Sequence, residues 1–234
     1  MRTTLEYNKG ISMALKGGAA NGGHAHMDGG EFLLTKGNLR WAIDLGPQDY
    51  TSLELAGLDL WNKTQSSDRW KCFRYNNLAH NTLTINDQLH NVEGKVEVLC
   101  TEPMPDNMYA VMDMTALFSP MAKKVTRRGA IIDSKRAEIT DTVVGGDEPM
   151  KLRWTMVTPA KPEISADGKS IVLKQKGETM TLRFDADADI SPELKIWSAQ
   201  SENAYDAPNP GVWRVGYEAI LPGGNTSVIK AILE

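Results

Sequence analysis

The chain has 234 residues, 41% hydrophobic and 24% charged, with a formal net charge of -4, which is the balance of an ordinary globular protein. That charge excludes a general attraction to nucleic acid or to an anionic membrane surface, while leaving room for a locally positive cleft that takes an acidic polymer. No run of about 18 apolar residues suggests a transmembrane helix, and the Met1–Glu6 start is not followed by a signal-peptide core. Two cysteines, Cys72 and Cys100, allow one bridge but not a disulfide scaffold.

In chain order, the first predicted elements are strands at Glu31–Thr35 and Leu39–Leu45, joined by a turn at Lys36-Gly37-Asn38. Ser52–Trp61 is the best helical candidate, and it is short. Asn81–Asn86 alternates Thr82 and Thr84 against Leu83 and Ile85, as a half-buried strand does. A strand pair at Ala130–Ile132 and Ala137–Val143 surrounds Asp133-Ser134-Lys135. Further strands follow at Lys151–Val157, Ser170–Lys174, Met180–Phe184, Leu194–Trp197, Trp213–Ile220 and Thr226–Ile232, with turns at Asp167-Gly168 and Lys176-Gly177. Pro159–Asp167 reads as a loop. Closely spaced strands without intervening helices predict an all-β fold, a large antiparallel β-sandwich formed by residues 1–234 as one domain.

The chemistry concentrates around four histidines. His24 and His26 are two apart in Gly23-His24-Ala25-His26-Met27-Asp28-Gly29, and on an extended chain both would face one way. His80 opens a predicted strand, and Asp44 ends another. Two imidazoles and a carboxylate with an open position suit zinc or a similar first-row metal. A competing pattern exists: Gly18, His24, His26 and Glu31 fit most of the first cupin motif, although Asn38 stands where its next glycine belongs. That reading makes Glu31 a ligand and the chain a cupin-like metal enzyme.

The stretch His24-Ala25-His26-Met27-Asp28, then Phe32, then Asp44-Leu45-Gly46, Tyr50 and finally His80-Asn81-Thr82-Leu83, resembles the heparinase II/III-like polysaccharide lyase signature. The resemblance is best over residues 10 to 95. It implies zinc held by His26, Asp44 and His80, with His24 facing the substrate as a catalytic residue. It also implies an acidic, uronic-acid-containing polysaccharide (a glycosaminoglycan or alginate-like chain) cleaved by β-elimination in the periplasm or outside the cell. Such lyases carry an α/α toroid before the sandwich. The 23 residues ahead of His24 are too few to form one, so this chain alone is expected to be inactive.

Arg69, Arg74 and Tyr75 precede His80, and an arginine there suits a uronate carboxylate through paired hydrogen bonds; Arg74 and Tyr75 are the expected substrate-binding residues. Asp28 is expected to support a histidine rather than bind metal. Lys123, Lys124, Arg127 and Arg128 form a basic run that reads as a solvated strand edge. Trp41, Trp61 and Trp70 are core tryptophans by default and sugar platforms otherwise, and His90 reads as a surface turn residue. A glycan-binding sandwich with a purely structural zinc remains the third reading.

Overall fold

The computed structural model describes residues 1–6, 8–102 and 107–234. Its strands, in chain order, are β1 (Ile11–Leu15), β2 (Gly18–Ala19), β3 (Phe32–Lys36), β4 (Leu39–Ala42), β5 (Leu83–Ile85), β6 (Lys95–Glu102), β7 (Asn107–Asp113) and β8 (Ala122–Ile132). They continue with β9 (Arg136–Gly145), β10 (Met150–Thr158), β11 (Lys161–Ile164), β12 (Ser170–Gln175), β13 (Glu178–Ala186), β14 (Glu193–Ser198), β15 (Trp213–Leu221) and β16 (Thr226–Leu233). One short helix, α1 (Tyr50–Leu55), and four 3-10 turns are all the helix among the described residues. None is long and apolar enough to cross a membrane.

The strands pair antiparallel into three sheets. Nine run in the order β11-β12-β13-β16-β9-β8-β7-β6-β2, four in the order β14-β15-β10-β5, and three as β1-β3-β4. This is the all-β sandwich that the alternating pattern predicts. Its hairpins close where a left-handed backbone is available: Gly37 (φ 62°) between β3 and β4, and Asp133 and Ser134 (φ 50° and 53°) between β8 and β9. Inward residues of all three sheets share one apolar core. Phe32 of β3 packs 5.5 Å from Trp154 of β10, and Phe184 of β13 sits 5.2 Å from Trp154 and 4.7 Å from Tyr217 of β15. Phe32, Trp154 and Tyr217 are buried, Phe184 partly so, and each fully buried aromatic removes enough apolar surface from water to contribute roughly 1.5–3 kcal/mol.

Several elements differ from expectation. The helix begins two residues earlier, because the Asp49 side chain accepts the Ser52 amide at 2.9 Å, and it stops before Gly57, whose φ is 88°. The strand expected at Asn81–Asn86 contracts to β5, because Asn81 and Thr82 spend their side chains on the carbonyls of Phe32, which opens β3, and of Gly29 in the preceding loop. The Pro159–Asp167 loop contains edge strand β11, where Pro162 is tolerated because the outer side needs no donor. Cys72 and Cys100 are both free, one buried and one exposed.

The largest departure is Arg127. Instead of belonging to a solvated basic edge, it is fully buried, directly opposite Asp141 across the β8–β9 ladder. Two parallel hydrogen bonds of 2.7 and 2.9 Å run from its guanidinium to the Asp141 carboxylate. Its remaining terminal nitrogen donates to the carbonyls of Gly30 (2.8 Å) and Asn81 (2.9 Å). Lys123 pairs outside with Asp147, Lys124 with Asp113, and Arg128 lies over the Tyr109 ring, so the run divides between two faces. Removing one partner of a buried pair strands the other charge in the core. Arg127→Ala should therefore cost about 3–5 kcal/mol of unfolding free energy in a urea titration. A loss below about 1 kcal/mol, the range of an exposed pair, would refute the role assigned to it.

Candidate active site and metal centre

Three separate segments build the site, each held from behind by the sandwich. The first is the irregular loop carrying His24, His26 and Asp28. Its ends are tied by reciprocal bonds between Lys16 and the loop, with the Gly30 amide donating to the Lys16 carbonyl and the Lys16 amide to the Glu31 carbonyl, both 2.9 Å. Gly30 is required there: its φ is 76°, and a Cβ would collide with the Met114 side chain. Thr82 Oγ1 donates to the Gly29 carbonyl (2.8 Å), and the Met27 amide donates to the Tyr75 carbonyl (2.8 Å). The second segment leaves β4 through Ile43 and Asp44. The third is His80-Asn81. The Asn81 side chain donates to the carbonyls of Phe32 (2.7 Å) and Ile43 (3.0 Å) and accepts the Val157 amide (2.6 Å), so one amide group fixes three strands around the site.

Together these segments bring His26, Asp28, Asp44 and His80 within 4.8 Å of one another, one ligand atom from each, the candidate metal-binding group among the described residues. The expected trio of His26, Asp44 and His80 thus converges, and Asp28 joins it. His80 is completely buried, with Nδ1 3.2 Å from both Glu31 Oε1 and Asp44 Oδ2. Its Nε2 is sealed from solvent and meets no hydrogen-bond partner. Burial acts to lower the His80 pKa, but the Glu31 charge and the hydrogen bonds to Asp44 and Glu31 override it and push the value up to about 10. Burial works against the Asp44 charge, yet its contacts with His80 and the Gly46 amide hold it well below the usual carboxylate range. Glu31 is raised by burial. His26 is lowered to about 4, by burial first and then by His80, so it is neutral and one ring nitrogen keeps a lone pair free for a ligand's task.

The donor set therefore fits a divalent metal. Two imidazoles and two carboxylates converge, one imidazole is neutral, and the other carries an orphaned nitrogen in a place whose carboxylates demand positive charge. Glu31, the ligand required by the cupin pattern, instead bonds His80 and the Asn81 amide at 3.2 Å and lies outside the group. The Lys16 ammonium pairs with Asp28 at the rim.

His24 occupies a different corner of the same open cleft, whose volume is about 770 Å³. It is exposed and sits in a left-handed conformation (φ 59°), so the His24–His26 pair is not the extended strand that its spacing suggests. Its ring stacks on Tyr50 (5.6 Å) and meets Trp61 edge to face (5.7 Å). Nδ1 lies 3.2 Å from the Tyr50 hydroxyl, which also accepts a hydrogen bond from Arg69 (3.1 Å). Arg69, itself buried, donates to the Ala25 carbonyl (3.0 Å) and so braces the loop between the two histidines. Tyr50, quoted in the motif only as a spacing mark, is the functional candidate missed by reading the sequence; its place at the head of α1 was the available signal.

Arg74 and Tyr75 are placed elsewhere. Tyr75 is fully buried, its hydroxyl donating to the Gln48 carbonyl (3.0 Å) and accepting the Gln48 amide (3.2 Å), while its ring backs His26 at 4.6 Å. Arg74 donates to the carbonyls of Leu45, Pro47 and Pro208, each at 3.2 Å, and to Asn209 Oδ1. Both residues shape the strand exit that presents Asp44, and neither lines the cleft. His90 is no surface residue. It is buried, its Nε2 donating to the Leu83 carbonyl (2.8 Å), and burial lowers its pKa to about 4.

Residues 3–210 match the family described as "Heparinase II/III-like, C-terminal". No curated protein matches the sequence. The fold is similar to the heparan sulfate lyase HepC of Pedobacter heparinus, with TM-score 0.69 and 16% identity over all of this chain and 34% of that one. It is similar also to a heparinase III crystal structure, with TM-score 0.68 and 13% identity over 95% of this chain and 33% of that one. The chain thus spans about a third of the length of these structures.

Two measurements test the metal centre. Because metal-free His80 is protonated at neutral pH, zinc binding at pH 7 should release about one proton, read as buffer-dependent enthalpy in calorimetry. Asp44→Asn should abolish stoichiometric zinc uptake, whereas Glu31→Gln, which removes only support for His80, should weaken it about 10–100-fold. The reverse ranking would favour the cupin ligand set. Without metal, stability should be greatest near pH 6.5: it declines as pH rises towards 10 and His80 loses its proton, and as pH falls towards 4 and His26 must gain one. A flat profile of melting temperature against pH would contradict this.

Proposed function

The chain belongs to the heparinase II/III-like C-terminal family, and from that membership we propose that it is the β-sandwich part of a polysaccharide lyase acting on uronic-acid-containing chains. The carrying observation is the Arg69–Tyr50–His24 hydrogen-bond chain, opening on a cleft that shares a wall with the candidate metal centre. Heparan sulfate, named for one structural neighbour, makes a glycosaminoglycan the first substrate to try. Such a polymer is met outside the cell or in the periplasm.

β-Elimination removes the C5 proton of a uronate, breaks the C4–O4 bond and forms a C4=C5 double bond, with the expelled oxygen needing a proton. The hydrogen-bond directions suggest how this chain moves them. Arg69 donates to the Tyr50 oxygen, so the phenolic proton is directed at His24 Nδ1, and His24 Nε2–H remains as a donor. His24 Nε2–H protonates O4 while Nδ1 takes the phenolic proton, and the Tyr50 oxygen receives the C5 proton; the net transfer is from C5 to O4. Lys16, at the rim beside Asp28, is the cation placed to offset the uronate carboxylate and make C5–H more acidic. A zinc ion on His26, Asp44 and His80 would supply fixed positive charge and rigidity to the loop carrying His24.

The sandwich forms one wall of such a site, and a partner α/α domain supplies the other. The isolated chain should accordingly produce negligible unsaturated-uronate absorbance on glycosaminoglycan or alginate. Joined to its α/α domain it should be active, and His24→Ala or Tyr50→Phe should each lower kcat by about 10²–10⁴-fold. Full activity in either variant would remove the pair from the chemistry. No product from the joined protein on any uronic polymer would leave the glycan-binding sandwich with structural metal as the better reading.

A further inference from the structure

The four side chains of the candidate metal group are not held alike. His80 is fixed by Glu31 and Asp44, Asp44 also takes the Gly46 amide, and His26 lies against the Tyr75 ring. The sequence predicts that Asp28 supports a histidine, yet among the described residues its carboxylate hydrogen-bonds none. Its one partner there is the Lys16 ammonium. The Asp28 side chain is buried at 8% exposure, whereas that of Lys16 is 53% exposed. The Lys16 backbone is anchored through both its amide and its carbonyl, by Glu31 and Gly30. Only the flexible stem is left to move the ammonium.

A buried carboxylate needs a cation, and Asp28 has two within reach. One is Lys16; the other is a divalent ion, since Asp28 offers an oxygen within 4.8 Å of the ligand atoms of His26, Asp44 and His80. Lys16 has two claims on it as well. It lines the open cleft together with His24 and Tyr50, where a carboxylate arriving from solvent meets the same ammonium. An ion that takes Asp28 releases Lys16 to that carboxylate. A carboxylate that draws Lys16 away releases Asp28 to the ion. We propose that Asp28 is a fourth metal-binding residue and that Lys16 exchanges between Asp28 and an anionic ligand, so that a divalent ion and a uronic saccharide strengthen each other's binding. By linkage the factor is equal in both directions, and a single partly exposed ion pair sets it at about fivefold. The proposal rests on the polysaccharide reading above for its ligand class, but not on elimination taking place.

Zinc affinity, measured by competition with a chromophoric chelator with and without excess N-acetylheparosan hexasaccharide, tests it. In the wild type the saccharide should tighten zinc binding about fivefold. Lys16→Gln, a change at the rim that leaves the core untouched, should bind zinc more tightly without saccharide and lose most of the saccharide effect, while Lys16→Arg keeps it. Asp28→Asn should hold zinc more weakly. Because it frees the ammonium permanently, metal-free Asp28→Asn should also bind the hexasaccharide about as tightly as zinc-loaded wild type in calorimetry, a gain that a merely structural Asp28 would not give. Zinc affinity indifferent to the saccharide in the wild type, unchanged in Lys16→Gln, or unchanged in Asp28→Asn would overturn the proposal. Coupling in a protein that never yields unsaturated product, even joined to its α/α domain, keeps this exchange and ends the lyase reading. Normal elimination by the joined protein without coupling ends the exchange alone.

Discussion

One buried arginine sets the terms for the rest of the molecule. A guanidinium has five N–H donors and cannot be neutralised at any ordinary pH, so sealing one inside a sandwich is tolerable only if its charge is paired and its donors find acceptors. Asp141 answers the charge and two of the donors, and the Gly30 and Asn81 carbonyls answer two more. Those two carbonyls belong to the loop carrying His26 and to the segment carrying His80. The sandwich interior thus dictates the spacing of the site through the hydrogen-bonding requirements of one side chain.

The second constraint is electrostatic. Glu31, Asp44 and Asp28 bring three carboxylates against two imidazoles in a largely buried volume. Such a set is stable only with positive charge among its members, supplied by a proton on His80, by Lys16 at the rim, or by a bound divalent ion. Proton and metal compete for the same role. The imidazole that is most buried is held charged and the one nearer the opening is held neutral, which divides the two histidines by environment rather than by sequence position.

Much of this was legible in the residues. Alternating strands such as β9 and β15 have one face buried, so their period survives in the sequence, and the turns at Gly37 and Asp133-Ser134 announce themselves by residue type. β6 was missed because it is exposed along nearly its whole length, and its short alternation at Val96 and Val98 runs straight into Leu99 and Cys100. His26, Asp44 and His80 were legible through their motif, and their convergence follows from the fold. Arg127 was not, because its neighbours Lys123, Lys124 and Arg128 make the run look solvated, and only the β8–β9 register shows which of the four points inward. Arg74 and Tyr75 misled for the opposite reason: residue types that suit a uronate suit backbone carbonyls equally well. His90 sits among polar neighbours, yet a single carbonyl and the Phe118 ring are enough to bury it.

The wiring of Arg127 has a consequence for the order in which the protein matures. Every side chain of the candidate metal group lies before residue 90, but the arginine that sets their separation and the aspartate that neutralises it come at 127 and 141. A nascent chain emerging from the ribosome therefore exposes all its potential ligands well before it possesses the brace that gathers them. Contacts of such long sequence separation form late and slowly. The gathering of these side chains is thereby deferred until the two strands bearing the brace have been synthesised and paired.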